Sequence, residues 1–361
     1  MDINSFVIGY KKGKASGGGG MEGLHAVRYY NDDRTTLLYT AYVSTGSIAI
    51  YAGDTPVSAV NPSLIFLGFE PATANITADT DCYALYTSAT TLNETEWSAI
   101  SALSAQGMAE NYFAVGDTKM IHIEGKVGTL AVNGDYGVYI IGFDHNEELE
   151  GKGIHFGTFK SAESNGTDLC LIDSAYGTYP MDGSRVFNMN HSGQTNFGGW
   201  AMSNMRYDIL GSVDKVQTTN TVVNASPTCA TEPVSLTLMG ALPTDLRAVM
   251  KPMTKYTNNK GRNPTEATAS IDYLPLPSLF EINGEATSSI AQEEANCQKQ
   301  YAYFAAGNSK IKYSDSGTAR DWYVRTPNNE LSTHFLFMSS KGSCAGQGSN
   351  FVRGIAPIFK V

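Results

Sequence analysis

Short runs of β-branched and aromatic residues, separated by turn-forming residues, fill the sequence between Leu24 and Tyr86. The runs are LHAVRYY, TTLLYTAYV, SIAIYA, SLIFLGFEP and DCYALYT, and each is bounded by Gly, Pro, Asn or Asp. This pattern is typical of β-strands joined by tight turns. It predicts a small β domain over residues 21–88.

A glycine-rich segment precedes this domain. The stretch KKGKASGGGG, residues 11–20, does not support regular structure and predicts a flexible tether. The apolar peptide INSFVIGY before it is too short to fold alone, so we expect it to dock onto another protein. Residues 1–20 are therefore predicted to be a docking peptide and linker, with an unstructured start as the alternative.

Residues 89–361 mix helical and strand-like segments. Asn93 is expected to cap a helix with Glu96, since Trp97, Ile100 and other apolar residues follow on one face before Gly107. Further strands are predicted at TKMIHIEG, YGVYIIGFDHN and GKGIHFGTF, and further helices at GWAMSNMRYDIL, LMGALPTDLRAVM and SSIAQEEANCQKQYAYFAA. This order predicts one large α+β domain over residues 89–361.

Composition excludes several classes of protein. The net charge of −10 disfavours a nucleic-acid partner, because phosphate binding needs a basic surface. The sequence contains no apolar run of about 20 residues and no secretory signal, so neither membrane insertion nor standard export is expected. The five cysteines are dispersed and form no CxxC pair, which favours buried thiols in a protein that folds in a reducing cytoplasm.

Motifs that carry catalysis or bind metal are weak or missing. There is no HExxH and no GxSxG, and the two SxxK matches lack the further motifs that complete such a site. The acidic run DHNEELEG could hold calcium, but its spacing fits no EF-hand and a solvated loop is the preferred interpretation. We therefore expect no enzyme activity, no metal and no cofactor.

The final segment, residues 321–361, alternates aromatic, arginine and proline residues with small polar ones. Rigid aromatic residues supply contact area and Ser, Gly and Asn supply adaptable hydrogen bonds, a combination that suits recognition. An ordinary polar loop region is the alternative.

The stretch YAGDTPVSAVNPSLIFLGFEPATANITADTDCYALYT resembles the internalin B-repeat, a β-grasp-like spacer module of surface and phage proteins. Phe69 stands where that family usually carries Trp. The resemblance implies that residues 21–88 space and present other domains and hold no active site.

The segments GGWAMSNMRYDILGS, IDYLPLPSLFEING, DWYVRTP and GIAPIFKV resemble a domain family that is widespread in prophages of gut bacteria. The resemblance covers residues 97–361. The terminal pattern is also similar to C-type-lectin-like domains, including the variable proteins of diversity-generating retroelements and phage tropism determinants. Here the usual tryptophan pair is WY, and Thr326 stands where serine is commoner.

This resemblance implies a rigid lectin-like scaffold that carries a variable surface. The scaffold residues would be Trp322, Arg325, Pro327, Gly354, Pro357 and Phe359. The displayed ligand-binding residues would be Tyr323, Asn328, Asn329, Glu330, Ser332, Thr333, His334, Cys344, Gln347, Ser349 and Asn350.

The sequence thus predicts a phage or prophage tail-tip receptor-binding protein that adheres to a host cell-surface glycan or protein. The protein would be made in the host cytoplasm and assembled into the virion, contacting other tail proteins through its N-terminus. Because single lectin-like contacts are weak, a homotrimer is expected. A structural tail-fibre or baseplate component and a bacterial surface adhesin are the alternatives.

Overall fold

The structure is a computed structural model that describes residues 23–62, 64–88, 90–179, 185–191, 195–212, 233–259, 263–287 and 292–361. Its contacts divide the chain into an N-terminal unit, Met1–Ser88, and a C-terminal unit, Ala89–Val361. The predicted docking peptide and linker, residues 1–20, lie outside the described residues, as does Cys229.

The N-terminal unit is built on one mixed sheet. Its strands are β1 (Leu24–Tyr30), β2 (Leu37–Ser44), β3 (Ile65–Glu70) and β4 (Thr80–Thr87). They lie in the order β2-β1-β4-β3, with β1 parallel to β4 and the other neighbours antiparallel. Four of the five predicted strands are confirmed.

The fifth predicted strand, SIAIYA, is wrong. Only an isolated bridge between Ser47 and Ile76 forms there. Ala49 alone is buried, whereas Ile48 and Ile50 are 66% and 74% exposed. The apolar residues of SIAIYA therefore do not form a half-buried strand.

Aromatic rings fill the core of the N-terminal unit. Val27 and Tyr29 of β1 point into the core while Arg28 between them is only partly buried, as strand periodicity requires. The Tyr29 ring centre lies 4.8 Å from that of Phe69 and 5.3 Å from that of Tyr51. Phe69 is thus partly buried and packs against this core.

The C-terminal unit has mixed secondary structure dominated by strands, which is compatible with the predicted α+β class. Its strands are β5 (Thr118–Val127), β6 (Leu130–Phe143), β7 (Ile154–Lys160), β8 (Met253–Asn259), β9 (Asn263–Asp272), β10 (Lys312–Tyr313), β11 (Ala319–Arg320), β12 (Trp322–Pro327), β13 (His334–Met338), β14 (Cys344–Gly348) and β15 (Ile358–Lys360). Its α-helices are α1 (Trp97–Ala105), α2 (Glu147–Glu150), α3 (Leu238–Ala241), α4 (Thr244–Val249), α5 (Leu279–Asn283), α6 (Gln292–Asn296) and α7 (Ala302–Ala305). Among the described residues, no helix has the length and apolar character needed to cross a membrane.

Two sheets organise this unit. One has the order β15-β7-β6-β5, so the last strand of the chain pairs antiparallel with β7. The other is the antiparallel sheet β12-β13-β14. A shared core joins them, because Tyr139 and Ile358 from the first sheet belong to the same apolar cluster as Trp322, Val324 and Leu336 of the second.

The first helix forms where the sequence predicts it, but its start differs. Glu96 is the residue before α1 and makes no side-chain cap. Asn93 instead accepts a hydrogen bond from the Met120 backbone N–H at 2.8 Å and donates to Glu163. The predicted cap is therefore wrong, because Asn93 fastens the preceding turn to β5.

The predicted helix GWAMSNMRYDIL forms a 3-10 turn, Trp200–Met202, and a π-helical turn, Met205–Ile209. The β8–β9 hairpin was not predicted. Its strands are rich in Thr and Asn, which mask the periodicity that marks a strand.

Candidate functional site

The predicted scaffold residues of the C-terminal segment are all buried. Trp322 and Arg325 are completely buried, and the Trp322 indole donates to the Lys310 carbonyl at 3.0 Å. The remaining four are Pro327, Gly354, Pro357 and Phe359. Trp322 belongs to the apolar core that joins the two sheets, whereas Phe359 on β15 packs against Phe156 and Trp97.

Arg325 is held by a bidentate ion pair with Glu281. Its guanidinium donates to the two Glu281 carboxylate oxygens at 2.5 and 3.0 Å and to the Leu276 carbonyl at 2.9 Å. Burial raises the pKa of Glu281, but the charges of Arg325 and Lys255 outweigh it and hold the pKa well below its usual range. Glu281 also completes a capping box with Ser278, so the ion pair fastens α5 to β12.

A second group of polar side chains extends from Glu281. The Lys255 ammonium donates to Glu281 at 2.9 Å, to Glu150 at 2.7 Å and to the Tyr301 hydroxyl at 3.0 Å. The His145 ring stacks on the Tyr301 ring with centres 3.7 Å apart. All five side chains are buried, so the network joins β8, α5 and the segment around α2 inside the protein.

The donor atoms of His145, Glu150 and Glu281 lie within 4.8 Å of one another, close enough in principle for a metal ion. The Lys255 ammonium, however, already bonds to both carboxylates, and Arg325 adds a second positive charge. Two basic and two acidic side chains therefore balance each other without an added cation. This arrangement favours a structural role for the cluster.

The acidic run DHNEELEG does not converge on one point. Asp144 accepts a hydrogen bond from the Gly153 N–H at 2.8 Å, and Glu150 turns into the interior. Glu147 is exposed and lies 3.6 Å from Lys152. The carboxylates of this loop thus serve separate local contacts.

A further buried network centres on Asp272. Its carboxylate accepts hydrogen bonds from Arg206 at 2.5 Å, from the Trp200 indole at 3.2 Å and from Ser212 and Ser270 at 3.0 and 2.6 Å. Burial raises the pKa of Asp272, but the Arg206 charge and these hydrogen bonds hold it below its usual value. The motifs GGWAMSNMRYDILGS and IDYLPLP thus meet in the interior.

Four of the predicted display residues are buried, and their exposure at the surface was wrongly predicted. They are Tyr323, Asn328, Ser349 and Asn350, each at most 5% exposed. The Tyr323 hydroxyl donates to the Phe351 carbonyl at 2.9 Å. The Asn328 side chain accepts from the N–H groups of Glu330 and Leu331 at 2.8 and 2.9 Å.

Ser349 joins two backbone segments. Its hydroxyl accepts from the Thr195 N–H at 2.9 Å, and its own N–H donates to the Thr333 carbonyl at 2.9 Å. Asn350 lies beside it and its carbonyl is 3.4 Å from the Asn188 amide nitrogen. The burial of Ser349 follows from these contacts, because its hydroxyl and its N–H each satisfy a backbone partner inside the fold.

The other seven predicted residues remain at the surface. Glu330, Ser332 and Cys344 are exposed, and the partly exposed ones are Asn329, Thr333, His334 and Gln347. They lie on the β12–β13 turn and on β13 and β14, where Phe335 pairs with Gln347 and His334 with Gly348. The register places His334 and Cys344 on one side of the sheet and Gln347 on the other. We call this set of seven surface residues the recognition face.

Asn196 organises this face and was missed by the sequence analysis. Its amide nitrogen lies 2.9–3.0 Å from the carbonyls of Asn328, Leu331 and His334. The side chain is 1% exposed, and its neighbour Phe197 is 43% exposed. Because Asn196 lies within the polar stretch GQTNFGG, nothing in the sequence distinguishes it from an ordinary loop residue.

Two exposed apolar residues flank the polar positions. Leu331, in the β12–β13 turn, is 50% exposed, and Phe197 belongs to the loop that Asn196 fastens to that turn. The face therefore combines hydroxyl, amide, carboxylate and imidazole groups with apolar contact area. Such a combination suits binding through hydrogen bonds and packing.

Residues 216–361 match a protein family described as a domain of unknown function (DUF6273). The matched segment contains Asp272, Glu281, Arg325 and all seven residues of the recognition face. No curated protein and no solved structure matches the chain.

Proposed function

We propose that this chain is a receptor-binding protein of a phage or prophage tail tip, in which the recognition face adheres to a glycan or protein on the host cell surface. The observation that carries the proposal is that residues 321–361 contain two distinct sets of side chains. One set, which includes Trp322 and Arg325, is buried and forms a framework, and the other is the polar recognition face. The protein would act by adhesion and not by catalysis.

The hydrogen bonds that hold the framework come mainly from residues outside the recognition face, although the amide of buried Asn258 lies 3.5 Å from the side-chain oxygen of Asn329. Asn196, Asn328 and Ser349 hold the β12–β13 turn through backbone groups, while Arg325 and Glu281 fix the sheet from below. Exposed side chains above such a frame can change without the loss of a buried contact. This property is what a variable receptor-binding surface diversified by a retroelement requires.

The chemistry of the face suits a hydroxyl-rich or amide-rich ligand. Ser332 and Thr333 offer hydroxyls, and Asn329 and Gln347 offer amides that both donate and accept hydrogen bonds. Leu331 adds exposed apolar area at the same turn. Both a cell-surface glycan and a protein epitope present groups of these kinds.

We further propose a C-type-lectin-like fold for the C-terminal unit and a β-grasp-like fold for the N-terminal unit. The pairing of β15 with β7 supports the first, since it joins the end of the unit to its opening sheet. The parallel pairing of β1 with β4 between antiparallel neighbours supports the second. The N-terminal unit would act as a spacer on a homotrimer in the virion, docked through residues 1–20 to other tail proteins.

The experiment that tests this function measures binding of the full chain to cell envelopes from a panel of gut bacteria. Saturable binding to the envelopes of some strains, competed by excess unlabelled chain, is the expected result. Assembly of the chain into tails without binding to any envelope would favour the structural-component alternative. Localisation of the chain on the surface of bacteria that carry no tail genes would favour the adhesin alternative.

A further inference from the structure

A polar cleft of the C-terminal unit shares no residue with the recognition face. It has two neighbouring lobes with cavity volumes of about 460 and 590 Å³. Both lobes are lined by Lys160, Tyr303 and Asn308, so these three residues form the wall between them. Volumes of this size are typical of small-molecule sites.

Three polar groups meet at that shared wall. The Lys160 ammonium donates to an Asp168 carboxylate oxygen at 2.6 Å and to the Tyr303 hydroxyl at 3.2 Å. The Tyr303 hydroxyl lies 3.4 Å from the other Asp168 oxygen. The side chains of Lys160 and Asp168 are only 13% and 6% exposed, so the triad is fixed and largely desolvated before any ligand arrives.

The triad keeps unused hydrogen-bonding capacity. An ammonium has three N–H donors and Lys160 directs two of them to Asp168 and Tyr303, while a carboxylate accepts more than two hydrogen bonds. Asn308, exposed at the rim, donates one amide N–H to the Tyr303 carbonyl at 2.8 Å and retains another donor and an acceptor. The wall therefore presents donors and acceptors side by side.

The composition of the lining selects the class of ligand. Asp117, Glu163 and Asp168 outnumber Lys160, which disfavours phosphates and other anions. Adjacent donors and acceptors match hydroxyl groups, since each hydroxyl both donates and accepts. The partly buried ring of Tyr313 adds apolar area that can contact the C–H face of a sugar ring.

We propose that this cleft is a second binding site and that it takes a neutral oligosaccharide, with Lys160, Asp168 and Tyr303 as the residues that bind its hydroxyls. The site is independent of the recognition face and of the function proposed for that face. The chain would then carry two separate surfaces for attachment.

The test uses saturation-transfer NMR and calorimetry on the full chain with maltotriose, mannotriose and chitotriose as probes. Binding of at least one trisaccharide is expected, with an affinity at least tenfold weaker in Tyr303→Phe and Asp168→Asn. Tyr136→Phe is the matched control, because that buried tyrosine also donates to a carboxylate, Asp315, at 3.0 Å but does not line the cleft. It should bind as the parent does.

Asn308→Ala should also weaken trisaccharide binding. Because Asn308 is exposed, this variant should fold even if Tyr303→Phe or Asp168→Asn does not. His122→Ala together with Glu124→Ala, at exposed residues of β5 that belong neither to the cleft nor to the recognition face, should leave trisaccharide binding unchanged. The proposal is overturned if no trisaccharide binds, if the cleft variants bind as well as the parent, or if spermine binds in place of the sugars.

Discussion

The guanidinium of Arg325 and the carboxylate of Glu281 form a two-point ion pair at 2.5 and 3.0 Å, with both side chains at most 1% exposed. This pair lies directly beneath the sheet that carries the recognition face. Because Glu281 also bonds to Lys255, removal of either partner leaves an unbalanced charge in the interior.

Arg325→Ala should therefore lower the free energy of unfolding by about 3–5 kcal/mol, the usual cost of breaking a buried ion pair. Arg325→Lys should also destabilise the protein, because an ammonium cannot reproduce the two-point contact. Chemical denaturation of the purified variants measures both. Arg28→Ala is the control, since its ion pairs with Asp79 and Asp81 are exposed; an equal loss of stability there would contradict the account.

The buried position of Tyr323 gives a second prediction. Tyr323→Phe removes the hydrogen bond to the Phe351 carbonyl and leaves that carbonyl without this donor, at a cost of about 1–3 kcal/mol. Tyr42→Phe, at a tyrosine that is 56% exposed, should leave the melting temperature unchanged. If Tyr323→Phe melts with the parent, Tyr323 is not part of the framework.

Asn196 provides a third prediction, because its two amide N–H groups are shared among three carbonyls in and beside the β12–β13 turn. Asn196→Ala should destabilise the C-terminal unit by about 1–3 kcal/mol and increase amide hydrogen exchange at Leu331 and His334. Asn133→Ala, at an exposed position of β6, is the matched control. Unchanged exchange in the turn would show that Asn196 does not hold it.

The buried histidine His145 makes stability depend on pH. Burial, and then the charge of Lys255, lower its pKa to about 3. Since the unfolded value is about 6.5, the unfolded chain binds more protons below that pH. The stability from neutral His145 is complete above pH 6.5 and decreases as the pH falls toward 3, by up to about 1.4 kcal/mol per pH unit.

His145→Phe keeps a ring against Tyr301 and removes this titration. Between pH 6.5 and 5 the variant should therefore lose less stability than the parent, while exposed His122→Phe should follow the parent. Denaturation series at several pH values measure the slopes. Equal slopes for His145→Phe and the parent would mean that His145 does not contribute to acid sensitivity.

Strand positions were predictable where apolar periodicity is clear, as in β1 and β4 of the N-terminal unit and β5 to β7 of the C-terminal unit. The β8–β9 hairpin was not predicted, because its polar residues are buried through tertiary hydrogen bonds, such as the bond of Lys255 to Glu281. Local propensity carries no information about such partners.

The candidate site was predictable only in part, for a similar reason. Trp322 and Arg325 were correctly expected in the interior, whereas the polar residues Asn328 and Ser349 were expected at the surface. Their burial depends on backbone groups of Glu330, Leu331 and Thr195 that fold against them. A polar residue in a loop sequence does not reveal whether its partner is water or backbone.

The central claim is that the exposed side chains of the recognition face bind the host cell surface, while the buried framework stabilises the fold. The direct test pairs melting curves with cell-envelope binding for the triple variant Glu330→Ala, His334→Ala, Gln347→Ala. Its matched control replaces Glu124, His122 and Asn133, exposed residues of the β5–β6 hairpin, by alanine. We predict that both variants melt within a few degrees of the parent and that only the first loses envelope binding. Retention of full binding by the first variant, or an equal loss in both, would contradict the account.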